Sequence, residues 1–174
     1  MDFNKLKDEI SHSLSGLELS NKLKKKCDII SYPDIIKFKN IDELLGKNRQ
    51  CVLLYLTSKN YGHWCCVYEN PKSGNICFFD SYGFIPDDQL KFVSNEMNVE
   101  LRQHHKYLTK LLYDSKKPIE YNEYQLQDKL PGIATCGRWV ITRLNNKNIS
   151  VKQFAKYFLN NKIQPDILVT LLTL

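Results

Sequence analysis

Three short apolar runs in the middle of the chain limit its fold more than any other feature. They cover residues 51–57, 63–68 and 76–80 and are rich in Val, Tyr, Phe and Cys, which is typical of buried strands. Turn-forming residues separate them, first Ser58 to Asn60 with Gly62 and then Asn70 to Asn75. Short loops of this kind join neighbouring antiparallel strands. The pattern therefore predicts an antiparallel set of strands.

Helical spacing of apolar residues precedes and follows these runs. It predicts a first amphipathic helix that carries Phe3, Leu6, Ile10 and Leu14, a helical turn over residues 41–45, and a helix that starts near Pro86, with Leu90, Val93 and Met97 facing the core. Three more helices are predicted: one with Cys136, Val140 and Leu144 on one stripe, one opened by a capping box of Ser150 and Gln153, and one from Pro165. Residues 119–127 alternate, which predicts a further strand with Gln125 and Gln127 on one face.

These elements predict an α+β fold, in which a small mixed and largely antiparallel sheet packs with helices. A length of 174 residues suits one domain, and the chain has neither repeats nor a linker. Residues 1–174 are therefore interpreted as a single domain. Its N-terminal helical part covers residues 1–50, a core covers residues 51–145, and C-terminal helices cover residues 146–174.

Charge and cysteine content exclude several classes of protein. The net charge of +6 permits contact with nucleic acid without requiring it, and the densest basic run, Lys22 to Lys26, is interpreted as a solvated helix face. Because no glycine-rich phosphate loop occurs, nucleotide chemistry and a cofactor are not expected. The N-terminus has no signal-peptide core and no apolar run reaches membrane-spanning length.

Six cysteines without a Cys-x-x-Cys pair indicate neither a disulfide scaffold nor a metal site, and favour a reducing compartment. The five other than Cys136 are interpreted as small buried hydrophobic residues.

Cys136 is the best candidate nucleophile because it is predicted at the first turn of a helix. Free backbone N–H groups and the positive end of the dipole favour a thiolate there and supply donors for an oxyanion. Thr135 can cap the helix, and Gly137 lets another segment approach closely. From composition alone, an inert core cysteine at a helix start is the favoured interpretation, by about two to one.

His63 and Asp80 supply the rest of a nucleophilic site. His63 opens an apolar strand between Gly62 and Trp64, and Asp80 closes the next strand. A short hairpin brings the two ends together, so the carboxylate can hold one imidazole nitrogen and favour the cation. A base, its orienting carboxylate and a thiol are the three groups that covalent acyl transfer requires.

The motifs resemble those of the adenovirus-type maturation proteases, which belong with the Ulp1-like, SUMO-specific cysteine proteases. The resemblance rests on Gly62-His63-Trp64, on the segment from Cys77 to Phe84 and on Cys136-Gly137, and it covers residues 51–145. The ending Cys136-Gly-Arg-Trp139 is more similar to the versions found in large DNA viruses, virophages and virus-like mobile elements.

The resemblance implies roles for individual residues. His63 is the general base, Asp80 orients it, and Cys136 attacks a peptide carbonyl to form a thioester. A glutamine before the cysteine completes the oxyanion hole, and Gln127 is chosen over Gln125 because it is nearer. Trp64 stacks above the imidazole and, with Gly137, contacts the substrate.

The resemblance also implies a biological setting. Expected substrates are viral capsid and core precursors, cut at Gly-Gly-like sites during maturation in the virion and the viral factory of the host cytoplasm. DNA is an expected activator, the membrane is not a partner, and the enzyme is expected to be a monomer. Three alternatives remain open: a protease for ubiquitin-like or SUMO-like modifiers, a cysteine acetyltransferase on the same scaffold, and an inactive binding module.

Overall fold

The structure is a computed structural model that describes residues 2–174. Within that range the chain forms five strands, β1 Asp28–Ser31, β2 Gln50–Ser58, β3 Tyr61–Glu69, β4 Ile76–Phe79 and β5 Ile119–Tyr121. Its α-helices are α1 Phe3–Ser11, α2 Gly16–Lys22, α3 Ile41–Leu45, α4 Asn95–Glu100, α5 Tyr107–Asp114, α6 Cys136–Asn145, α7 Val151–Leu159 and α8 Pro165–Leu171. Two 3-10 helices, Tyr32–Lys37 and Asp88–Phe92, complete the regular structure.

The strands form one sheet in the order β1-β2-β3-β4-β5. The central pairs β2–β3 and β3–β4 are antiparallel, while the outer pairs β1–β2 and β4–β5 are parallel. The predicted α+β fold with a mixed, centrally antiparallel sheet is confirmed. The boundary expected at residue 50 lies between β1 and β2, which are paired in this sheet.

Successive residues of β3 point to opposite faces of the sheet, so the strand contributes to two cores. Trp64, Cys66 and Tyr68 face a core that includes α6, α7 and α8. Cys65 and Val67 face a second core that includes α3 and α5. The sheet is therefore buried on both faces, which explains why its central strands are continuous apolar runs.

Gly62 occupies a position where a side chain has no room. A Cβ built there would lie 1.8 Å from the carbonyl oxygen of Tyr55 on β2. The pairing register of β2 and β3 also shifts between Leu56 and Ser58. Only glycine permits the two strands to approach this closely, directly before His63.

Most of the predicted helices are confirmed. The helical turn over residues 41–45 is α3, the cysteine-bearing helix is α6, the capping box of Ser150 and Gln153 opens α7, and Pro165 begins α8. The first helix ends at Ser11, so Leu14 lies in the following loop, where it is nonetheless buried.

Two predicted elements are wrong in extent. The strand over residues 119–127 stops at Tyr121. There the Asn122 side chain donates to the carbonyl oxygens of Asp80 and Tyr124 and turns the chain. The single helix expected after Pro86 is two short ones, because Val93 is extended and Ser94 caps α4 instead. Leu90, Val93 and Met97 are therefore only half-buried.

Sequence patterns missed β1, α2, α5 and the 3-10 helix at Tyr32–Lys37. The basic run from Lys22 to Lys26 is not a helix face as expected. Helix α2 ends at Lys22, and both Lys24 and Lys25 adopt the left-handed conformation. The run is a turn that leads into β1.

All six cysteines are free and buried, which confirms that the five others are small core residues. No helix within residues 2–174 is long and apolar enough to cross a bilayer.

Candidate active site

His63 and Asp80 meet where β3 begins and β4 ends. The imidazole Nε2 lies 3.0 Å from Oδ1 of Asp80, and both side chains are buried. Because the two strands are antiparallel neighbours, the start of one lies beside the end of the other. The sequence therefore brings a base and a carboxylate together through strand pairing alone.

The Asp80 carboxylate is held from three directions. Its Oδ1 accepts from the backbone N–H of Tyr82 at 2.7 Å, and its Oδ2 accepts from Nε2 of Gln89 at 2.7 Å. Burial alone raises the pKa of Asp80, but the charge and hydrogen bond of His63, with these two donors, lower it below its ordinary value. Asp80 is therefore a fixed anion beside the imidazole.

The turn after Asp80 depends on Gly83. Gly83 has φ +78°, and a Cβ on it would lie 2.8 Å from the backbone of Tyr124. The N–H of Gly83 donates to the Asp80 carbonyl. Both the left-handed conformation and the close approach favour glycine here, so the turn that aims the carboxylate is set by this residue.

His63 lies between Asp80 and the thiol of Cys136. Burial lowers the pKa of His63, but the charge and hydrogen bond of Asp80, together with the hydrogen bond and charge of Cys136, raise it to about 10. Since Nε2 is used by Asp80, Nδ1 is the nitrogen that remains for the thiol. The imidazole is therefore cationic at neutral pH, and it lies between the Asp80 carboxylate and Cys136.

Cys136 is the first residue of α6, as predicted. The expected Thr135 side-chain cap is wrong: its hydroxyl donates instead to the carboxylate of Asp166 in the first turn of α8. The same carboxylate accepts from the Trp139 indole at 3.0 Å and from the N–H of Asp128 at 2.8 Å. With Thr135 turned away, no side chain caps the N–H groups at the start of α6.

The segment before α2 packs over the start of α6. A Cβ on Gly137 would lie 3.1 Å from Cβ of Leu14, so the close approach predicted at Gly137 is made by the protein's own N-terminal segment. The Trp64 indole donates to the Leu14 carbonyl at 2.9 Å. Gly137 and Trp64 thus both contact Leu14.

The ring that stacks on His63 is Tyr82, so the stacking expected of Trp64 is wrong. The centroids of the Tyr82 and His63 rings are 4.6 Å apart and their planes differ by 16°. Trp64 follows His63 on β3 and points to the opposite face of the sheet. Trp64 lines a groove of about 380 Å³ with Leu14, Gly16 and Gly62 among its walls.

Gln127 is buried beside the turn that carries Asp80. Its Oε1 accepts from the Ser81 hydroxyl at 2.7 Å, which directs its Nε2 toward the Tyr82 hydroxyl, 3.3 Å away. Burial and the nearby Cys136 raise the pKa of Tyr82 to about 12, so this hydroxyl is within electrostatic range of the thiol. Gln125 donates to the Gln127 carbonyl instead. Neither glutamine lies on a strand.

Cys65 completes a compact cluster with His63 and Asp80, whose donor atoms all lie within 4.8 Å of one another. Burial, followed by the charge of Asp80, raises the pKa of the Cys65 thiol well above its ordinary value. Such a set of ligand types could hold a metal ion. Here Nε2 of His63 and both Asp80 oxygens are already used in hydrogen bonds.

Sequence reasoning missed four residues of this site: Ser81, Tyr82, Gln89 and Asp166. The backbone hydrogen bond from Tyr82 to Asp80 could have been predicted, because an aspartate at the start of a turn often accepts from the N–H of the second residue after it. Asp166 had only the general signal of an acidic residue at the start of a helix. Gln89 had no signal, since its approach depends on the 3-10 helix at Asp88–Phe92.

Known structures share this fold. Two crystal structures of the ASFV pS273R protease, one of them the Se-Met form, superpose with TM-scores of 0.52 and 0.51 at 14% sequence identity. Each match covers 95% of this chain and 68% of that protease. The α+β arrangement of helices around a mixed sheet is thus the fold of these structures.

Sequence comparison finds a relative in a virophage. No protein-family model matches the chain. The uncharacterized protein V9 of Sputnik virophage is 38% identical over 166 residues, which are 93% of this chain and 94% of V9. Identity of this extent over nearly the whole of both chains establishes common descent, and the protein belongs to the family of the virophage protein V9.

Proposed function

We propose that the protein is a cysteine endopeptidase of the adenovirus-type, Ulp1-like kind. Cys136 is its nucleophile, His63 its general base and Asp80 the residue that orients the base. The observation that carries this proposal is the placement of the His63 imidazole between the Asp80 carboxylate and the Cys136 thiol. The fold shared with the ASFV pS273R protease supports it.

Before acylation, the proton of the Cys136 thiol has moved to Nδ1 of His63, so that the imidazolium faces a thiolate. The thiolate attacks the peptide carbonyl carbon, and the carbonyl oxygen takes up the negative charge. His63 then gives the proton to the leaving amine, the C–N bond breaks, and a thioester remains on Cys136. Asp80 stabilises the imidazolium through its bond to Nε2, as the orienting acid does in other triads.

The oxyanion is held by two donors, one at the start of α6 and one in the loop that precedes this helix. The backbone N–H of Cys136 is one, because the first N–H groups of a helix have no partner within it. The Nε2 group of Gln127 is the second, since Ser81 fixes the amide with its donor side toward the Tyr82 hydroxyl. In deacylation, His63 takes a proton from water, which attacks the thioester and releases the acid.

The proposed substrates are viral capsid and core precursors with glycine-containing cleavage sites. The groove beside Trp64 supports this preference, because its wall includes Gly16 and Gly62, which carry no side chain. The proposed setting is virion maturation in the viral factory of the host cytoplasm and in the virion, with the enzyme acting as a monomer.

Three alternatives predict different behaviour. A protease for ubiquitin-like modifiers should need the folded modifier for tight binding, whereas a capsid protease should cut short glycine-containing peptides. An acetyltransferase should require coenzyme A. An inactive binding module should contain a Cys136 no more reactive than an ordinary thiol.

The first test is alkylation of Cys136 by iodoacetamide, read for each cysteine by peptide mass spectrometry. Burial raises the pKa of the five other thiols, which should stay unlabelled: Cys27, Cys51, Cys65, Cys66 and Cys77. We expect fast labelling of Cys136 that falls by about 10²-fold in His63→Ala, since a positioned base contributes on that order. His104→Ala, at an exposed histidine, is the matched control and should behave as wild type.

Cleavage of glycine-containing peptides and capsid precursors is the second part of the test. Cys136→Ala should reduce turnover by roughly 10³-fold or more, because loss of the nucleophile removes the whole triad reaction. Retained turnover in Cys136→Ala would rule out the nucleophile assignment. Slow labelling of Cys136 in both wild type and His63→Ala would rule out the proposed chemistry.

Contact with DNA is proposed for a basic cleft at the far end of α6. Lys22, Lys24, Lys26 and Lys147 line this cleft, which has a volume of about 390 Å³. No acidic residue lines this cleft, and clustered lysines attract phosphate groups. Duplex DNA should raise the peptide cleavage rate at low salt, and replacement of Lys24 and Lys26 by glutamine should remove the effect.

A further inference from the structure

A row of aromatic rings starts on the catalytic histidine and ends in solvent. Tyr82 stacks on His63 with ring centroids 4.6 Å apart. The Phe84 ring lies 6.0 Å from that of Tyr82, and the Phe92 ring lies 4.9 Å from that of Phe84. Tyr82, Phe84 and Phe92 are here named the aromatic row. It joins the reacting groups to the molecular surface without a gap.

The outer end of the aromatic row is exposed. Phe92 keeps 64% of its surface open, and the nearby chain positions Ile85 and Leu130 keep 45% and 63%. Phe92 is in ring contact with Phe84, and an exposed apolar side chain that adjoins another marks a binding surface more often than an isolated one does. Other exposed apolar residues, such as Phe3 and Tyr113, are not in such contact with the site.

A lysine without a counter-ion lies across the same surface. The Lys129 ammonium is 4.4 Å from the centroid of Phe84 and 5.6 Å from that of Tyr82. Across residues 2–174, every ion pair within 4.0 Å involves other cations. The surface therefore offers aromatic faces and one free positive charge, and its complement is an apolar side chain beside an acidic one.

The chemistry of the triad fixes which part of a substrate reaches this surface. His63 delivers a proton to the departing amine, so the leaving side of the scissile bond must lie toward the imidazole. The aromatic row begins on that imidazole, whereas the groove with Trp64 opens on the other face of β3. Residues that follow the scissile bond are therefore the segment nearest to the row.

We propose that the aromatic row and Lys129 bind the substrate residues that follow the scissile bond and select an apolar residue next to an acidic one. This inference rests on the proposed endopeptidase function. It adds a specificity surface on the leaving side of the bond, separate from any selection of glycine on the acyl side.

The test compares quenched fluorescent peptides that share one cleavable glycine-containing acyl side and differ only after the scissile bond. The leaving sides are Leu-Asp, Leu-Lys and Ser-Ser. We expect wild type to cleave the Leu-Asp peptide roughly 10-fold faster, in kcat/KM, than the Ser-Ser peptide, since one apolar contact gives discrimination of that order. In Phe92→Ala this ratio should approach one. In Lys129→Gln the ratio of Leu-Asp to Leu-Lys should fall by about fivefold, as for an exposed ion pair.

Matched controls exist elsewhere on the surface. Tyr113 is 74% exposed, and the Lys116 ammonium lies 4.3 Å from its ring centroid. Tyr113→Ala and Lys116→Gln therefore remove an equivalent aromatic and cation pair, and both should keep the wild-type ratios. A ratio of rates between peptides is insensitive to a general loss of active enzyme, so partial misfolding does not imitate the effect.

The outcomes separate the two proposals. Cleavage of all three peptides at equal kcat/KM, or ratios unchanged in Phe92→Ala, overturns the leaving-side inference and leaves the endopeptidase standing. No cleavage of any peptide or precursor overturns the endopeptidase proposal and this inference with it. Wild type could also sediment as a dimer that Phe92→Ala dissociates, while the kcat/KM ratios between peptides stay unchanged. That result assigns the surface to a second copy of the chain and also overturns the inference.

Discussion

At the scale of single residues, the charge of His63 decides which form of the site exists at neutral pH. Burial by itself makes the imidazole neutral, and the adjacent Asp80 carboxylate opposes that effect and prevails. Asp80 can do so because Tyr82 and Gln89 donate to it and keep it ionised. His63 is thus an imidazolium that lies between the Asp80 carboxylate and Cys136.

We predict that an NMR titration places the pKa of His63 near 10 in wild type. In Asp80→Asn it should fall toward the ordinary 6.5, because Cys136 alone then opposes the effect of burial. A wild-type His63 that titrates near its ordinary value would contradict this.

The same shift has a consequence for stability. A raised pKa means that the folded protein binds the proton more tightly than the unfolded chain does. The stabilisation is therefore complete below the unfolded value of about 6.5 and is lost as the pH rises through about 10. The Tm difference between wild type and Asp80→Asn, measured by calorimetry, should shrink between pH 6 and pH 10.

The sequence places His63, Asp80 and Cys136 because strand ends and a helix start are visible in its pattern. It does not place Tyr82 on the imidazole or Gln89 on Asp80, since those contacts depend on loop conformations. The stacking role of Trp64, which the resemblance implied, was wrong, although strand alternation contains the correct answer. His63 and Trp64 are adjacent in a strand, so they point to opposite faces.

At the scale of elements, the turn after β4 aims the Asp80 carboxylate and depends on Gly83. We predict that Gly83→Ala destabilises the protein by about 2 kcal/mol or more, since it adds left-handed strain to a backbone clash. Alkylation of Cys136 should also slow as Asp80 moves. Gly74 is the matched control, because it has φ +73° but nothing within 4 Å of the position that a Cβ would take. If Gly83→Ala and Gly74→Ala lower the free energy of unfolding equally in chemical denaturation, the clash with the Tyr124 backbone does not contribute.

Strand patterns were reliable where a strand lies in the centre of the sheet. Residues of β2, β3 and β4 are apolar on both faces because both faces are covered. The edges were harder: β1 has four residues and follows a lysine run. The alternating pattern of residues 119–127 continues beyond Tyr121, but the strand does not, because the Asn122 side chain turns the chain there.

At the scale of the whole molecule, Arg138 connects distant parts of the chain to α6, the helix that begins at Cys136. Its guanidinium is almost fully buried. One nitrogen donates to the Thr173 hydroxyl at 3.1 Å, and the other donates to the Glu9 carbonyl at 3.1 Å and pairs with the Glu9 carboxylate. Helix α1 and the residues that follow α8 are therefore joined across α6, two residues from Cys136.

We predict that Arg138→Ala lowers the free energy of unfolding by about 3 kcal/mol, because it breaks a partly buried ion pair with Glu9 and removes the donor to the Glu9 carbonyl and the Thr173 hydroxyl. Limited proteolysis should then cut within residues 2–14, which lose their anchor. Lys110→Ala removes an exposed pair with Asp114 and should cost less than about 1 kcal/mol. Unchanged protection of residues 2–14 in Arg138→Ala would show that other contacts hold the segment.

The overall class of fold was accessible from sequence, whereas the contacts that unite its parts were not. Arg138 follows a cysteine and a glycine in the motif and gave no sign of a partner so far away in sequence. Long-range pairing of this kind follows from packing, which a local pattern does not encode.

The Arg138 contacts also impose an order on biosynthesis. During translation, Glu9 and the strands leave the ribosome first, and Cys136 emerges before Thr173 does. The guanidinium cannot complete its bonds until Thr173 has emerged, so the helix that presents the thiol is fixed only after its own synthesis is complete. The nascent chain thus carries Cys136 in an unfinished setting until Thr173 has left the ribosome.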